Sequence, residues 1–322
     1  MGGDMQQYGL IGLGNLGGKI GDNLLKAGFA LKINDRDRAR GDALISGGAV
    51  WAETPAEAAR DVDGLITCLP SPAISSEVML GDKGACAAMR KGSAWIETST
   101  TDVDAILDVA KRAAEAGIGT IEAPVTGGVH RAERGEITVL VGASAEEFDR
   151  HRAALEAFGG QIFHLGDVGS ASILKVITNM LAFANLVGAA EGLMLAKQAG
   201  LDLTTAYHAI QASSGNSAEF ETVAPVILNG SFDTSFTLDL ACKDLGLMTK
   251  LGKEYKTPLL FTGLIEHLFL EARAKYGGAA WTPHVAKMIE DVTGVEMRAD
   301  GFPDRMMDHK DVLAHLEKSK AG

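Results

Sequence analysis

A lone lysine, Lys175, stands in the apolar run "SASILKVITNMLAFA", with Asn179 one helical turn further on. Burial disfavours an ammonium, so a lysine in such surroundings has its pKa drawn toward neutrality, where it can exchange a proton with a substrate oxygen. Asn179 shares its helix face and can hold that oxygen or the lysine itself. Pattern alone fits equally well a lysine whose stem lies on the core while its head reaches water. A second group is "PVTGG", where the Thr126 hydroxyl and the N–H groups of Gly127 and Gly128, both free to adopt positive φ, make a compact nest for a carboxylate. His130 and Arg131 follow directly. Either can meet a second anionic group, although a solvated loop is the more ordinary role for "VHRAER".

A third group lies near the N-terminus. In "YGLIGLGNLGGKIGDNLLKAG", Gly12, Gly14 and Gly17 have the GxGxxG spacing between a strand-like run and an amphipathic helix. The first glycine permits a tight turn, the second lets a pyrophosphate approach the backbone, and the third lets helix pack on strand. Leu13, Asn15 and Leu16 complete that loop, and the helix N-terminus behind it favours anions. The next strand, in "LKINDRDRAR", ends at Asp35, placed to accept both hydroxyls of an adenosine ribose. Arg36 or Arg38 can instead clamp a 2′-phosphate or stack on adenine. The carboxylate would repel that phosphate, so NAD is expected over NADP. No metal site is expected: Cys68, Cys86 and Cys242 have no CxxC spacing.

These groups need a scaffold. At 322 residues the chain exceeds the roughly 250–300 at which single cores stop growing, which points to two domains. The first half alternates strand-like runs ("YGLIGLG", "ALKIND", "GLITCLP", "SAWIETS", "GIGTIEAPV", "ITVLVGA", "QIFHLG") with helical segments over 15–27, 38–46, 75–89 and 145–158. That rhythm predicts an α/β domain, a Rossmann-type doubly wound parallel sheet over 1–166. An all-α domain over 167–300 is expected to follow, with helices over 170–199, 204–213, 219–229, 238–253, 259–275 and 285–295. The first of them is the long helix joining the domains. The polar tail over 301–322 is expected to be loosely held or used in subunit contact.

Composition narrows the partners. A formal net charge of −12 argues against nonspecific binding to nucleic acid or an anionic membrane. With 46% hydrophobic and 22% charged residues the chain is of ordinary globular type. Sparse cysteines and a polar start containing Gly2, Gly3 and Asp4 give the expectation of a reducing, cytoplasmic setting. The apolar stretch 176–195 carries Asn179, Asn185 and Glu191, costly in lipid, and is read as a core helix.

The glycine fingerprint, "EAPVTGG" and "GSASILKVITN", in that order, resemble the β-hydroxyacid dehydrogenases over about residues 8–298. That family writes the two later motifs as Asp-Ala-Pro-Val-Ser-Gly-Gly and Gly-x-Gly-x-x-x-Lys-x-x-Asn-Asn. The resemblance implies that Lys175 is the general acid/base, that Thr126, Gly127 and Gly128 bind the substrate carboxylate, and that Asn179 also contacts substrate. It further implies cofactor contacts at Leu69 and Pro70 in "CLPSP", at Thr100 in "ETSTTD" and at Lys243, which lies with Phe236 and Asp244 in "FTLDLACKDLGLM". Departures are Ala171 at the second glycine, Thr178 at the first asparagine, Thr126 for Ser, and Arg131 where the family usually has Gly. Thr178 cannot donate an amide, which puts one hydrogen bond in doubt but not the proton transfer.

The implied activity is NAD(P)-dependent oxidation of a small 3-hydroxy acid to its semialdehyde, or the reverse, in a homodimer or homotetramer. Two alternatives are an NADPH-dependent semialdehyde or glyoxylate reductase and a noncatalytic cofactor-binding protein. Lys175 with Asn179 weighs against the second and against the imine reductases, which share the fold. Neither the substrate nor a role for His130 is specified by the sequence.

Overall fold

The computed structural model describes residues 6–321. Residues 1–5, on which the expectation of no leader partly rests, lie outside them, as does Gly322. The chain divides into two compact units, 1–175 and 176–322.

In the first unit, β1 (Gln7–Ile11), β2 (Ala30–Asn34), β3 (Val50–Trp51), β4 (Gly64–Thr67), β5 (Ala94–Glu97) and β6 (Gly119–Glu122) pair in parallel in the order β3-β2-β1-β4-β5-β6. Consecutive strand residues enter opposite cores. Leu10, Ile66 and Ile96 pack on one face of the sheet, while Ile11, Leu65 and Trp95 pack on the other. A strand covered on both faces reads as a continuous apolar run, as "YGLI" and "GLIT" do. Helices α1 (Gly17–Lys26), α2 (Asp42–Ser46), α3 (Pro55–Ala58), α4 (Pro72–Leu80) and α5 (Val103–Glu115) connect these strands.

The sheet is not wholly parallel. After β7 (Val125–Thr126) and α6 (Val129–Glu133), β8 (Ile137–Gly142) runs antiparallel to both β6 and β7. The connection from β7 to β8 is shorter than the dozen or so residues a parallel crossover needs, so the chain turns back. Helix α7 (Ala145–Phe158) then supplies a full crossover, and β9 (Gly159–Gly166) returns parallel to β8.

Several helices depart from expectation. The segment 75–89 is not one helix: Ser71 caps α4, Pro72 occupies its first turn, Gly81 ends it, and 86–88 form only a 3-10 turn. Likewise 38–46 divides into a 3-10 turn over 38–41 and α2. Helix α5, absent from the expected elements, is announced by Asp102, whose carboxylate accepts the N–H groups of Asp104 and Ala105. "VHRAER" holds α6 rather than a loop.

The second unit is helical. The long α8 (Ser170–Gln198) begins in the first unit and continues into this one, followed by α9 (Leu203–Gln211), α10 (Ala218–Asn229), α11 (Leu238–Glu254), α12 (Leu260–Tyr276) and α13 (His284–Thr293). Phe183, Leu186, Ala190, Leu193, Val223, Ile227, Leu245, Ile265 and Phe269 share one core. Within 176–195 only one helix face is buried; Leu181 and Leu195 on the other are exposed, so α8 is an amphipathic helix rather than a fully enclosed one. The tail is not loose. It forms α14 (His309–Ala321), with Val312 and Leu316 buried in the same core.

Candidate active site

The glycine loop joins β1 to α1. Gly12 has φ +92°, and a Cβ there would collide with the Cys68 carbonyl and lie 3.1 Å from the Leu69 side chain. At Gly17 a Cβ would collide with the Gly12 carbonyl oxygen. Gly14 differs: its added Cβ would meet only Arg40 Nη1, at 3.6 Å, leaving that side open to an approaching group. No side chain caps α1 and no acid stands in its first turn, so its positive end is left for an anion. Leu13 is buried, Leu16 half-buried and Asn15 exposed.

Asp35 ties the end of β2 to this loop. Its carboxylate accepts the Leu13 N–H at 2.7 Å and the Asp37 N–H at 2.9 Å. Arg36 is exposed. Arg38 stacks over Trp51, 4.6 Å from the ring centroid, and pairs with Asp42. The arginine that leans over the glycine loop is thus Arg40, which sequence spacing did not single out. An open glycine, an uncapped helix end and a fixed carboxylate suit a dinucleotide; Gly12, Leu13, Gly14, Asn15, Leu16 and Gly17 would hold the pyrophosphate, and Asp35 the ribose.

The loops after β4 and β5 are cross-tied. Ser99 Oγ accepts the Leu69 N–H at 2.7 Å and donates to Glu97, while Glu97 also accepts the Ser99 N–H at 2.9 Å. Trp95 Nε1 donates to Thr67 Oγ1 at 2.8 Å and the Thr98 hydroxyl to the Thr67 carbonyl at 2.8 Å. Burial raises the Glu97 pKa against the pull of these donors. The network fixes Leu69 and the strand end leading to Thr100; Leu69 and Thr100 are half-buried and Pro70 is exposed. Glu97 and Ser99 were not recognisable in sequence, because their role depends on a neighbouring strand.

Thr126 ends β7, and Gly127 (φ +116°) and Gly128 (φ +89°) follow in conformations that L side chains rarely adopt. Only glycine adopts such conformations readily, so the pair lets the loop turn its N–H groups in ways other residues could not. Helix α6 starts immediately after, and the Arg131 stem packs on the loop, with Cδ 3.1 Å from where a Gly127 Cβ would lie. Lys175, in the second turn of α8, is 6% exposed. Glu122, just upstream of the nest, receives hydrogen bonds from the start of α8.

In the second unit, Asn179 Nδ2 donates to Asp244 Oδ2 at 2.6 Å, and Lys243 Nζ pairs with Asp244 Oδ1 at 2.8 Å. Asp244, 1% exposed, thus brings Asn179 and Lys243 together, an arrangement the "KD" dipeptide alone does not disclose.

Fold and loop chemistry define an NAD(P)-binding oxidoreductase. Residues 7–166 match the NAD-binding domain of 6-phosphogluconate dehydrogenase, and 169–289 match the model described as NAD-binding of NADP-dependent 3-hydroxyisobutyrate dehydrogenase. The chain is 36% identical to 2-(hydroxymethyl)glutarate dehydrogenase of Eubacterium barkeri, over 90% of this chain and 97% of that one. It is 33% identical to mitochondrial 3-hydroxyisobutyrate dehydrogenase of Mus musculus, over 81% and 80%. A solved 3-hydroxyisobutyrate dehydrogenase from Salmonella typhimurium superposes with a TM-score of 0.82 at 28% identity, covering 88% of this chain and 99% of its own. The chain belongs to the β-hydroxyacid dehydrogenase family.

Proposed function

We propose that the protein oxidises a small 3-hydroxy acid to its semialdehyde, or runs the reverse reduction, with Lys175 as general acid/base. The observation that carries this reading is a lysine 6% exposed at the head of α8, in a unit that also presents a two-glycine nest and a dinucleotide loop. When bound, the nicotinamide supplies the hydride acceptor or donor. The Thr126 hydroxyl and the N–H groups of Gly127 and Gly128 hold the substrate carboxylate and so orient the carbinol carbon. Lys175 takes the hydroxyl proton in oxidation and returns it in reduction. Asn179, held by Asp244, orients the substrate oxygen or the lysine, and Lys243 contacts the cofactor. Leu69, Pro70 and Thr100 flank the nicotinamide half.

NAD is the preferred cofactor in this proposal, because the Asp35 carboxylate, held at the end of β2, would repel a 2′-phosphate. Arg36 and Arg40 are what would support the alternative, an NADPH-dependent semialdehyde reductase. In this proposal the substrate carries a second carboxylate, a reading supported by the Arg131 stem lying against Gly127 and by the Eubacterium barkeri relative, which is named for a diacid. A homodimer or homotetramer is part of the proposal, supported by exposed Leu181, Leu195, Leu260, Phe261 and Leu264 on the helical unit. So is a reducing cytoplasmic setting, in keeping with three free cysteines.

One experiment tests the core of this. A panel of mono- and dicarboxylic 3-hydroxy acids is offered with NAD or NADP, and reduced cofactor is read by absorbance. Turnover of a diacid with NAD is expected, and Arg131→Ala should raise KM for diacids about tenfold or more while sparing monoacids, a loss of roughly 1.4 kcal/mol or more. Silence across the panel would overturn the activity; an unchanged diacid KM in Arg131→Ala would overturn the second carboxylate.

A further inference from the structure

Glu122 ends β6 and is 0% exposed. An isolated carboxylate is costly in such a place, and its partners explain it. Oε2 accepts the backbone N–H of Gly169 at 2.5 Å and of Ala171 at 3.3 Å, and Oε1 accepts the Ser172 hydroxyl. These donors form the entry and first turn of α8, where N–H groups have no intrahelical acceptors and negative charge is favoured. Gly142, the register partner of Glu122 on β8, keeps room for the carboxylate, since a Cβ there would collide with Oε2. The cap is therefore a side chain reaching from a distant strand.

The same stretch of chain continues into the nest. Val125 and Thr126 are held to Val139 and Thr138 of β8, and Gly127 and Gly128 follow. Segment 122–128 thus grips the head of α8 at one end and forms the carboxylate loop at the other. Lys175 comes three residues after Ser172 on a helix whose first turn is fixed by this grip. We propose that Glu122 is the positioning residue that sets Lys175 against the 126–128 loop, so that substrate carboxylate and proton-transfer group keep one fixed spacing. It acts through the helix and touches no substrate. The inference rests on the function proposed above for Lys175 and the loop.

Glu122→Gln tests it: the substitution keeps the size but replaces one acceptor oxygen by an NH2, to which the Ser172 hydroxyl can no longer donate. On a hydroxy acid turned over by the wild type, kcat is expected to fall about tenfold or more, as sub-ångström to ångström misplacements do. KM for NAD and binding of NADH should stay within about twofold of wild type, since the dinucleotide loop is untouched. Ser172→Ala, which removes one donor of the set, should move kcat the same way by less, and serves if Glu122→Gln does not fold. Leu155→Ala, in the core of the same unit, is the comparison: at a similar loss of Tm it should keep its kcat per folded molecule. A kcat for Glu122→Gln and Ser172→Ala within twofold of Leu155→Ala would overturn the proposal, as would a parallel loss of NADH binding. Amide exchange at Gly169 and Ala171 reads the cap with no substrate present. Faster exchange is expected in Glu122→Ala, which removes both acceptor oxygens, and unchanged exchange there would overturn the cap even if no hydroxy acid were ever turned over.

Discussion

His151 is 1% exposed, its Nδ1 is 2.8 Å from the Tyr8 hydroxyl, and burial, helped by Arg150, lowers its pKa from 6.5 to about 4. The unfolded chain takes up a proton below about pH 6.5. The folded chain resists until about pH 4, so the stability this imidazole confers near neutrality is lost as pH falls through that window. The gap corresponds to on the order of 3 kcal/mol. His151→Gln, which keeps a partner for Tyr8 but cannot titrate, should flatten the denaturant stability curve between pH 7 and 4; identical curves for both proteins would contradict the assignment. Candidacy for the site was legible in sequence wherever type and local spacing suffice, as at Lys175, Asp35 and the glycines. It was not legible for Glu122, Ser99 or Arg40. Each of these acquires its role from a partner far along the chain, and Glu122 in particular looks in sequence like the end of an ordinary strand.

Among the elements, the loop entering α1 shows most directly how two glycines of one motif differ in their surroundings. An added methyl at Gly17 would strike backbone, the Gly12 carbonyl, whereas at Gly14 it would meet only the end of the flexible Arg40 side chain at 3.6 Å. Gly17→Ala should therefore cost about 2 kcal/mol or more of stability. Gly14→Ala should keep the wild-type Tm and weaken NADH binding, because its methyl stands where the pyrophosphate must approach. Equal Tm values for both variants would contradict this division. Strands β1, β2, β4, β5, β6, β8 and β9, helix α7 and helices α8 to α13 were readable from their apolar runs, whereas the two-residue β3 and the four-residue α3 are too short to leave such a run. Helix α5 escaped notice although its N-cap and its apolar positions Ile106, Val109 and Ala113 are regular. The antiparallel β8 could not be read, since strand direction is set by connection length and pairing rather than by the strand's own residues.

At the level of the molecule, the proposed function has a chain of net charge −12 hold anionic groups by local means: the uncapped start of α1, the 126–128 loop, Arg40 and Arg131. The protein needs no basic surface for this, because helix ends and oriented N–H groups supply the positive potential where it is used. Of the two roles expected for the tail, loosely held or used in subunit contact, the first gives way to a helix packed on the core, for a similar reason of scale. Its own sequence is polar and short, and only the surrounding helical core shows that Val312 and Leu316 have somewhere to go. Every feature of the functional account converges on one proton. With NAD and a hydroxy acid turned over by the wild type, Lys175→Ala is expected to lower kcat by about a thousandfold, within the 10²–10⁴ range of acid–base contributions, while NADH binding by fluorescence stays within about twofold. Turnover within tenfold of wild type in that variant would contradict the account.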